Sequence, residues 1–157
     1  MSQKTTENHQ IDNLDRQILN ALVQDARQPY AQLAREFDVS PATIHVRVEK
    51  MRSAGIISGT HIQVNPKRLG FDVCCFIGVT LSAAGDYPEV LEQLRAIDEV
   101  VEAHYTTGQY SVFIKILTRS IDDLQHVLIS KIQSIEKVRA TETLIALQSP
   151  IDRQVAF

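Results

Sequence analysis

Apolar positions in the first third of the chain recur at helical spacing. From Asn13, read as the N-cap, Leu14, Ile18, Leu19, Leu22 and Val23 share a face, and Asp15 sits in the first turn where the helix dipole favours a negative charge. This predicts a helix ending near Ala26. Pro29 opens a shorter helix through Phe37, with Leu33, Ala34 and Phe37 inward. A break at Asp38, Val39 and Ser40 separates it from a third helix. Ser40 can accept from free backbone N–H groups, Pro41 has no N–H to lose at the first helical position, and Gly55 supplies the left-handed residue that ends many helices. Ile44, Val48 and Met51 form the inward stripe of this helix.

Two short helices, a tight turn and a capped second member make a helix-turn-helix, whose second helix enters the DNA major groove. With the stripe inward, Ala42, Val46, Glu49, Lys50 and Ser53 point away, flanked by Thr43, His45 and Arg47. A valine on a polar outer face fits a thymine methyl, and Ala42 permits close approach. Arg47 and Lys50 can neutralise phosphates, and Thr43 and His45 can hydrogen-bond a base edge or phosphate. The dipole adds positive potential at Ser40. The candidate DNA contacts are therefore Ser40, Pro41, Ala42, Thr43, His45, Val46, Arg47 and Lys50; a solvated helix face with a lone surface valine is the competing reading.

After Gly55 the pattern changes. Ile56 to Val64 suggests short extended segments and Pro66 to Gly70 a linker. An apolar strand from Val73 to Leu81 leads through a turn to a helix from Pro88 to Ile97, with Val90, Leu91, Leu94 and Ile97 inward. Strands at Val100 to Thr107 and Tyr110 to Thr118 flank Gly108. Ser120 then caps a helix carrying Ile121, Leu124, Val127, Leu128 and Ile132, and Val138 to Leu147 closes the series. This β-α-β-β-α-β order is the ferredoxin-like plan, a four-stranded antiparallel sheet with both helices on one face. The fold class is thus α+β. Residues 1–12 form a polar arm, 13–64 the helix-turn-helix domain, 65–71 a linker and 72–157 the ferredoxin-like domain. Its strands do not alternate as a sheet with one wet face should. Cys74 and Phe76 oppose Val73, Cys75, Ile77 and Val79, while Phe113 and Leu117 oppose Val112, Ile114 and Ile116, which points to homodimerisation through the uncovered face.

Charge sharpens this division. The 157 residues carry 16 Lys and Arg against 19 Asp and Glu, a formal net charge of −3, which excludes a blanket basic coat. Divided near Gly70, the halves are +2 and −5, and residues 40–68 alone are +4, an electrostatic footprint for nucleic acid. The longest apolar stretch, Val73 to Val79, is far short of the ~20 residues that span a bilayer, and the polar start does not read as a signal peptide. A cytoplasmic protein is expected. The adjacent Cys74 and Cys75 have the spacing of neither a disulfide framework nor a zinc pair.

The combination resembles the Lrp/AsnC family of "feast or famine" transcription regulators across nearly the whole chain. The resemblance rests on Ile11-Asp12-Asn13-Leu14-Asp15, Val39-Ser40-Pro41, Arg47-Val48-Glu49-Lys50-Met51 and Ala54-Gly55-Ile56-Ile57 in that order. The segments 40–51, 76–78, 105–114, 120–129 and 141–145 are similar to the asparagine-responsive branch. The resemblance implies that the second domain is an amino-acid-sensing, RAM-type domain. Its effector would be held between dimers near the second-to-third strand hairpin, with dimers assembling to an octamer. It implies L-asparagine as effector and control of asparagine synthesis genes and of the regulator's own gene.

The residues so implied are Tyr105, Thr106, Thr107, Gly108, Gln109, Tyr110 and Ser111, with Gln125, His126, Thr141 and Thr143 completing the pocket. Gly108 exposes backbone donors and acceptors for the carboxylate and ammonium of an amino acid, and Thr106 and Thr107 add hydroxyls. Many family members carry Gly-Asp-Tyr-Asp here. Neutral Gln109 and Ser111 argue against a lysine or arginine effector and fit a neutral one. An ordinary hairpin turn is the competing reading.

An enzyme is disfavoured. The six glycines form no phosphate loop or dinucleotide fingerprint, the five histidines show no metal-ligand spacing, and no motif marks a nucleophile, although Ser111 and His126 could meet in space. No cofactor or metal is expected. A DNA-bending scaffold without ligand control is the remaining alternative.

Overall fold

The structure, a computed structural model, describes residues 11–155. The expected polar arm lies outside these residues except for Ile11 and Asp12. The described chain forms two compact units, one of residues 11–63 with 152–155 and the other Val64–Ile151.

The first unit contains α1 (Asn13–Gln24), α2 (Tyr30–Glu36) and α3 (Pro41–Ser53). The cap of α1 lies one residue earlier than expected. Asp12, not Asn13, accepts from Asp15 N–H at 2.9 Å, and Asp15 accepts from Asp12 N–H at 3.2 Å, a reciprocal capping box that Asn13 has no partner to make. Pro29 is the N-cap of α2 and not its first residue. The turn into α3 places Asp38 at φ 54°, a left-handed conformation that Asp tolerates, and Val39 N–H reaches back to the Ala34 carbonyl at 2.9 Å. Ser40 caps α3 by accepting from Thr43 N–H at 3.1 Å, with Pro41 following. At its other end Gly55 takes φ 72° and Ile56 N–H donates to the Met51 carbonyl at 2.9 Å, which completes a Schellman motif. Ser40→Ala is expected to lower the stability of this unit by about 1 kcal/mol in denaturant unfolding, the usual loss for a serine cap. Ile18, Leu19, Leu33, Ala34, Ile44, Val48 and Met51 are its buried core.

Residues 56–64 form no strand, against expectation. A strand needs a paired neighbour, and Ile62 and Val64 remain exposed. The expected linker is also more ordered than its composition suggests. Asn65 Oδ1 accepts from Lys67 and Arg68 N–H, and Pro66–Leu69 form a 3₁₀ turn of the second unit.

The second unit contains β1 (Val73–Leu81), α4 (Tyr87–Arg95), β2 (Val100–Tyr105), β3 (Val112–Thr118), α5 (Ile121–His126) and β4 (Val138–Ile145). The sheet is antiparallel in the order β2-β3-β1-β4. This is the ferredoxin-like arrangement read from the sequence. α5 runs on as a π-helical turn, Val127–Ile132, in which Gln133 N–H reaches the Leu128 carbonyl. Ile121, expected inward, is exposed. On one face of the sheet Cys75, Ile77, Val79, Val112, Ile114 and Ile116 pack against Val90, Leu94, Leu124, Val127 and Ile132. The other face carries Cys74, Phe76, Phe113 and Leu117, all half-buried, and the exposed Leu144.

Candidate nucleic-acid interface and effector site

Capping and the inward stripe fix which side chains α3 presents. Ala42, His45, Val46 and Lys50 are exposed, and Val46 keeps 64% of its surface free. The Ser40 and Thr43 hydroxyls are linked at 2.8 Å, and the His45 ring lies 6.1 Å from that of Tyr30. Pro41 occupies the first helical position.

Arg47 is engaged within the chain. Its guanidinium ion-pairs with Asp12 and, at 3.2 Å, with Asp15, whose side chain is only 5% exposed. In the free chain its guanidinium thus clasps α3 to the start of α1. The Asp15 backbone N–H, then the Arg47 guanidinium, hold the Asp12 carboxyl below the usual carboxylate range, and the two carboxylates raise Arg47 in turn.

The +4 footprint is also divided between the units: Lys67 and Arg68 belong to the second, while in α3 Arg52 pairs at 2.9 Å with Glu49, whose charge the +4 already subtracts. Lys50 is the cation of α3 with no ion-pair partner among the described residues. Sequence reasoning did not find the acidic partners, although the Asp12-x-x-Asp15 spacing of a capping box was there to be read.

In the second unit the β2–β3 hairpin is held by several hydrogen bonds. Thr106 N–H donates to the Ser111 carbonyl at 3.1 Å, and the Thr106 hydroxyl to the Tyr110 carbonyl at 2.8 Å. Ser111 N–H donates to the Val79 carbonyl at 2.9 Å, and the Ser111 hydroxyl oxygen accepts from Leu81 N–H. The Thr106 hydroxyl hydrogen is thereby committed, whereas that of Ser111 stays free to donate. At the tip, where Gly108 takes φ 107°, the N–H groups of Thr107, Gly108, Gln109 and Tyr110 make no hydrogen bond among the described residues. Successive unpaired N–H groups at a turn suit an anion. Tyr105, 56% exposed, packs its ring 4.2 Å from that of Tyr87.

The other expected effector residues do not converge on this turn within one chain. Thr141 lies in the same cross-sheet row as Tyr105, through Val79 and Val112, but three strand spacings away, about 14 Å, and its hydroxyl accepts from Gln133 Nε2 at 2.8 Å. Thr143 is two rows further along, opposite Ile77. Gln125 and His126 are exposed on α5; His126 lies within electrostatic reach of Glu99, whose carbonyl accepts from Leu117 N–H at the far end of β3. There Lys131 holds the Glu99 carboxyl below its usual range through bonds of 2.7 and 2.9 Å. Ser111 and His126 therefore do not meet.

Burial, and secondarily the neighbouring Cys74, push the Cys75 thiol up to about 11, so it stays protonated in the core. A separate cavity of about 290 Å³ lies in the first unit between Leu19, Leu22, Val48, Ile56 and Ile57, remote in sequence from the hairpin. No group of three or more His, Cys, Asp and Glu side chains among the described residues could hold a metal, and no helix there is long and apolar enough to cross a membrane.

A capped reading helix on one unit and a polar hairpin on a helix-backed sheet in the other define a DNA-binding regulator with a separate ligand-binding domain. Residues 11–52 match the AsnC-type helix-turn-helix domain, and residues 74–156 match the Lrp/AsnC ligand binding domain. The chain belongs to the Lrp/AsnC family of transcription regulators. It is 62% identical over 149 residues to the regulatory protein AsnC of Escherichia coli K12, covering 95% of this chain and 98% of that protein. The solved structure of E. coli AsnC superposes with a TM-score of 0.91 at 61% identity, covering 94% and 99% of the two chains. A feast or famine regulatory protein from M. tuberculosis, solved with L-methionine, matches at a TM-score of 0.85 and 25% identity, covering 94% and 99%.

Proposed function

We propose that this regulator binds L-asparagine at the β2–β3 hairpin of a self-associated assembly, and so controls transcription of asparagine synthesis genes and of its own gene in the cytoplasm. The observation that carries this is the hairpin tip, where the backbone N–H groups of Thr107 to Tyr110, unpaired among the described residues, offer a carboxylate its donors beside the neutral Gln109. The methionine-bound relative supports an amino-acid ligand, and the identity to AsnC supports asparagine. Tyr105, Thr106, Thr107, Gly108, Gln109, Tyr110 and Ser111 of one copy form the hairpin side. Gln125, His126, Thr141 and Thr143 lie too far away within one chain, so they contribute from neighbouring copies. Dimers form through the uncovered sheet face and build toward an octamer.

The test is calorimetric titration of the twenty amino acids against the full chain. Heat with asparagine and none with lysine or arginine is expected; silence with both asparagine and glutamine ends the proposal.

On DNA, Ser40, Pro41, Ala42, Thr43, His45, Val46 and Lys50 line the groove contact, and Arg47, ion-paired to Asp12 and Asp15, supports the helix that carries them. Val46→Ser is expected to weaken binding about tenfold at one thymine-containing step and to leave non-specific affinity unchanged, since a methyl contact carries sequence information and a phosphate contact does not. Binding isotherms on operator variants with thymine replaced by uracil give the comparison. Equal loss on both bases would place Val46 away from the methyl.

A further inference from the structure

Both flanks of the outward face of α3 are tied to a neighbouring helix. At about 3.6 residues per turn, Thr43 and Arg47 fall on one side of that face and His45 on the other. Arg47 is ion-paired to Asp12 and Asp15 at the start of α1. His45 faces α2 instead, where its ring lies 6.1 Å from that of Tyr30 at a tilt of 49°, within the range in which aromatic pairs attract. Tyr30 is the first residue of α2, directly after the N-cap Pro29, and it is half-buried against the core of the unit. Its place is fixed by that packing. His45 is exposed, and neither its ring nitrogens nor the Tyr30 hydroxyl make a hydrogen bond among the described residues. The contact between them is one of rings alone.

We infer that Tyr30 is a positioning residue for sequence reading: its ring holds the His45 imidazole in one orientation, from which the imidazole hydrogen-bonds a base edge in the major groove. This rests on reading α3 as the groove helix. A free surface histidine samples several rotamers, and freezing such a side chain only on binding costs between about twofold and tenfold in affinity. Contact with a ring already anchored in the core removes part of that cost before DNA arrives. The imidazole keeps both nitrogens available, and purine edges in the major groove offer N7 as an acceptor for its N–H. A phosphate would accept the same bond from any sequence, so dependence on sequence separates the two.

In the experiment, full-length protein is titrated with a duplex that the wild type selects from a random-sequence pool, and with a scrambled duplex of the same composition. His45→Ala should weaken binding to the selected duplex about tenfold and leave the scrambled one within about twofold. Tyr30→Leu, which keeps an apolar side chain against the core, should weaken the selected duplex about fivefold and the scrambled one not at all. In the His45→Ala background the same substitution should cost less than about twofold, because the ring then has nothing to hold. Tyr30→Phe should bind as the wild type does. A Tyr30→Leu loss that persists without His45 overturns the positioning role and assigns Tyr30 to the fold; a Tyr30→Phe protein as weak as Tyr30→Leu overturns it and assigns the hydroxyl to DNA. Equal loss on both duplexes in His45→Ala overturns the base-edge contact, and undiminished affinity removes His45 from the groove. A wild type that selects no sequence from the pool overturns the groove reading of α3 itself, and the positioning role with it. One measurement needs no variant to fold: nuclear Overhauser contacts between the Tyr30 and His45 rings should persist in the wild-type complex with the selected duplex, and their loss on binding overturns the proposal.

Discussion

Arg47→Ala should destabilise the helix-turn-helix unit while leaving the salt dependence of DNA binding unchanged. The substitution removes the cation beside Asp15, whose nearly buried carboxylate then keeps only the Asp12 N–H. Leaving such a group without its partner costs about 2 kcal/mol, or a fall of about 10 °C in the melting temperature of a unit this small. Because the charge of Arg47 is already matched by two carboxylates, the slope of log affinity against log salt should not move. Lys50→Ala, by contrast, should lose a slope of roughly 0.9 for one phosphate contact, with no change in melting temperature. Thermal melts and salt titrations of both variants decide the matter. A stable Arg47→Ala protein with a flattened slope would return Arg47 to the phosphate.

The same clasp gives an acid limb. The Asp12 pKa is depressed in the folded chain, so its contribution is present above the unfolded value near ~3.9 and is lost as pH falls through the lower folded value. Asp12→Asn, which preserves a capping oxygen, should flatten the loss of stability below about pH 4.

Phe113→Asp should convert the protein from dimer or larger to monomer at micromolar concentration without unfolding it. Phe113 is half-buried in the single chain, on the face no helix covers, while its neighbours Val112 and Ile114 hold the core. A carboxylate there has water in the monomer and none in a packed sheet-on-sheet interface. A two-fold interface places the penalty on both copies. Two desolvated charges at a few kcal/mol together correspond to about three decades in dissociation constant. Sedimentation equilibrium gives the mass, and circular dichroism confirms that the sheet remains. A wild type already monomeric at micromolar concentration, or a variant of undiminished mass, would remove the uncovered face as the dimer interface. Loss of the dimer should also weaken operator binding, since paired reading helices address half-sites about 34 Å apart.

The sequence was most informative where local chemistry decides. Ser40, Pro41 and Gly55 bracket α3 because cap, first-turn proline and left-handed glycine each act on the nearest backbone. β1 begins where its apolar run does and passes only Thr80 to end at Leu81, because a buried strand needs that run. Long-range matters were hidden. A helical wheel places Arg47 at the flank of α3, but only the packing of α1 against α3 brings Asp12 and Asp15, 35 and 32 positions earlier, within reach. Ile56 to Val64 has strand-like residues and no paired strand. At the effector site the hairpin was legible as a motif. That its residues and those of α5 and β4 stay apart in one chain follows from strand register and the length of β3, which periodicity does not measure.

The Arg47 clasp also bears on redesign. Reading heads of helix-turn-helix proteins invite transplantation: the outward residues of one recognition helix are copied onto another to redirect the protein to a foreign operator. Here positions 42, 46 and 50 are open to such exchange, because their side chains are exposed, whereas the Thr43 hydroxyl is tied to the cap residue Ser40. Position 47 lies between them on the helix and answers to α1. A graft that rewrites the whole outer surface would discard a brace along with the address, and its failure to bind would be mistaken for a failure of recognition.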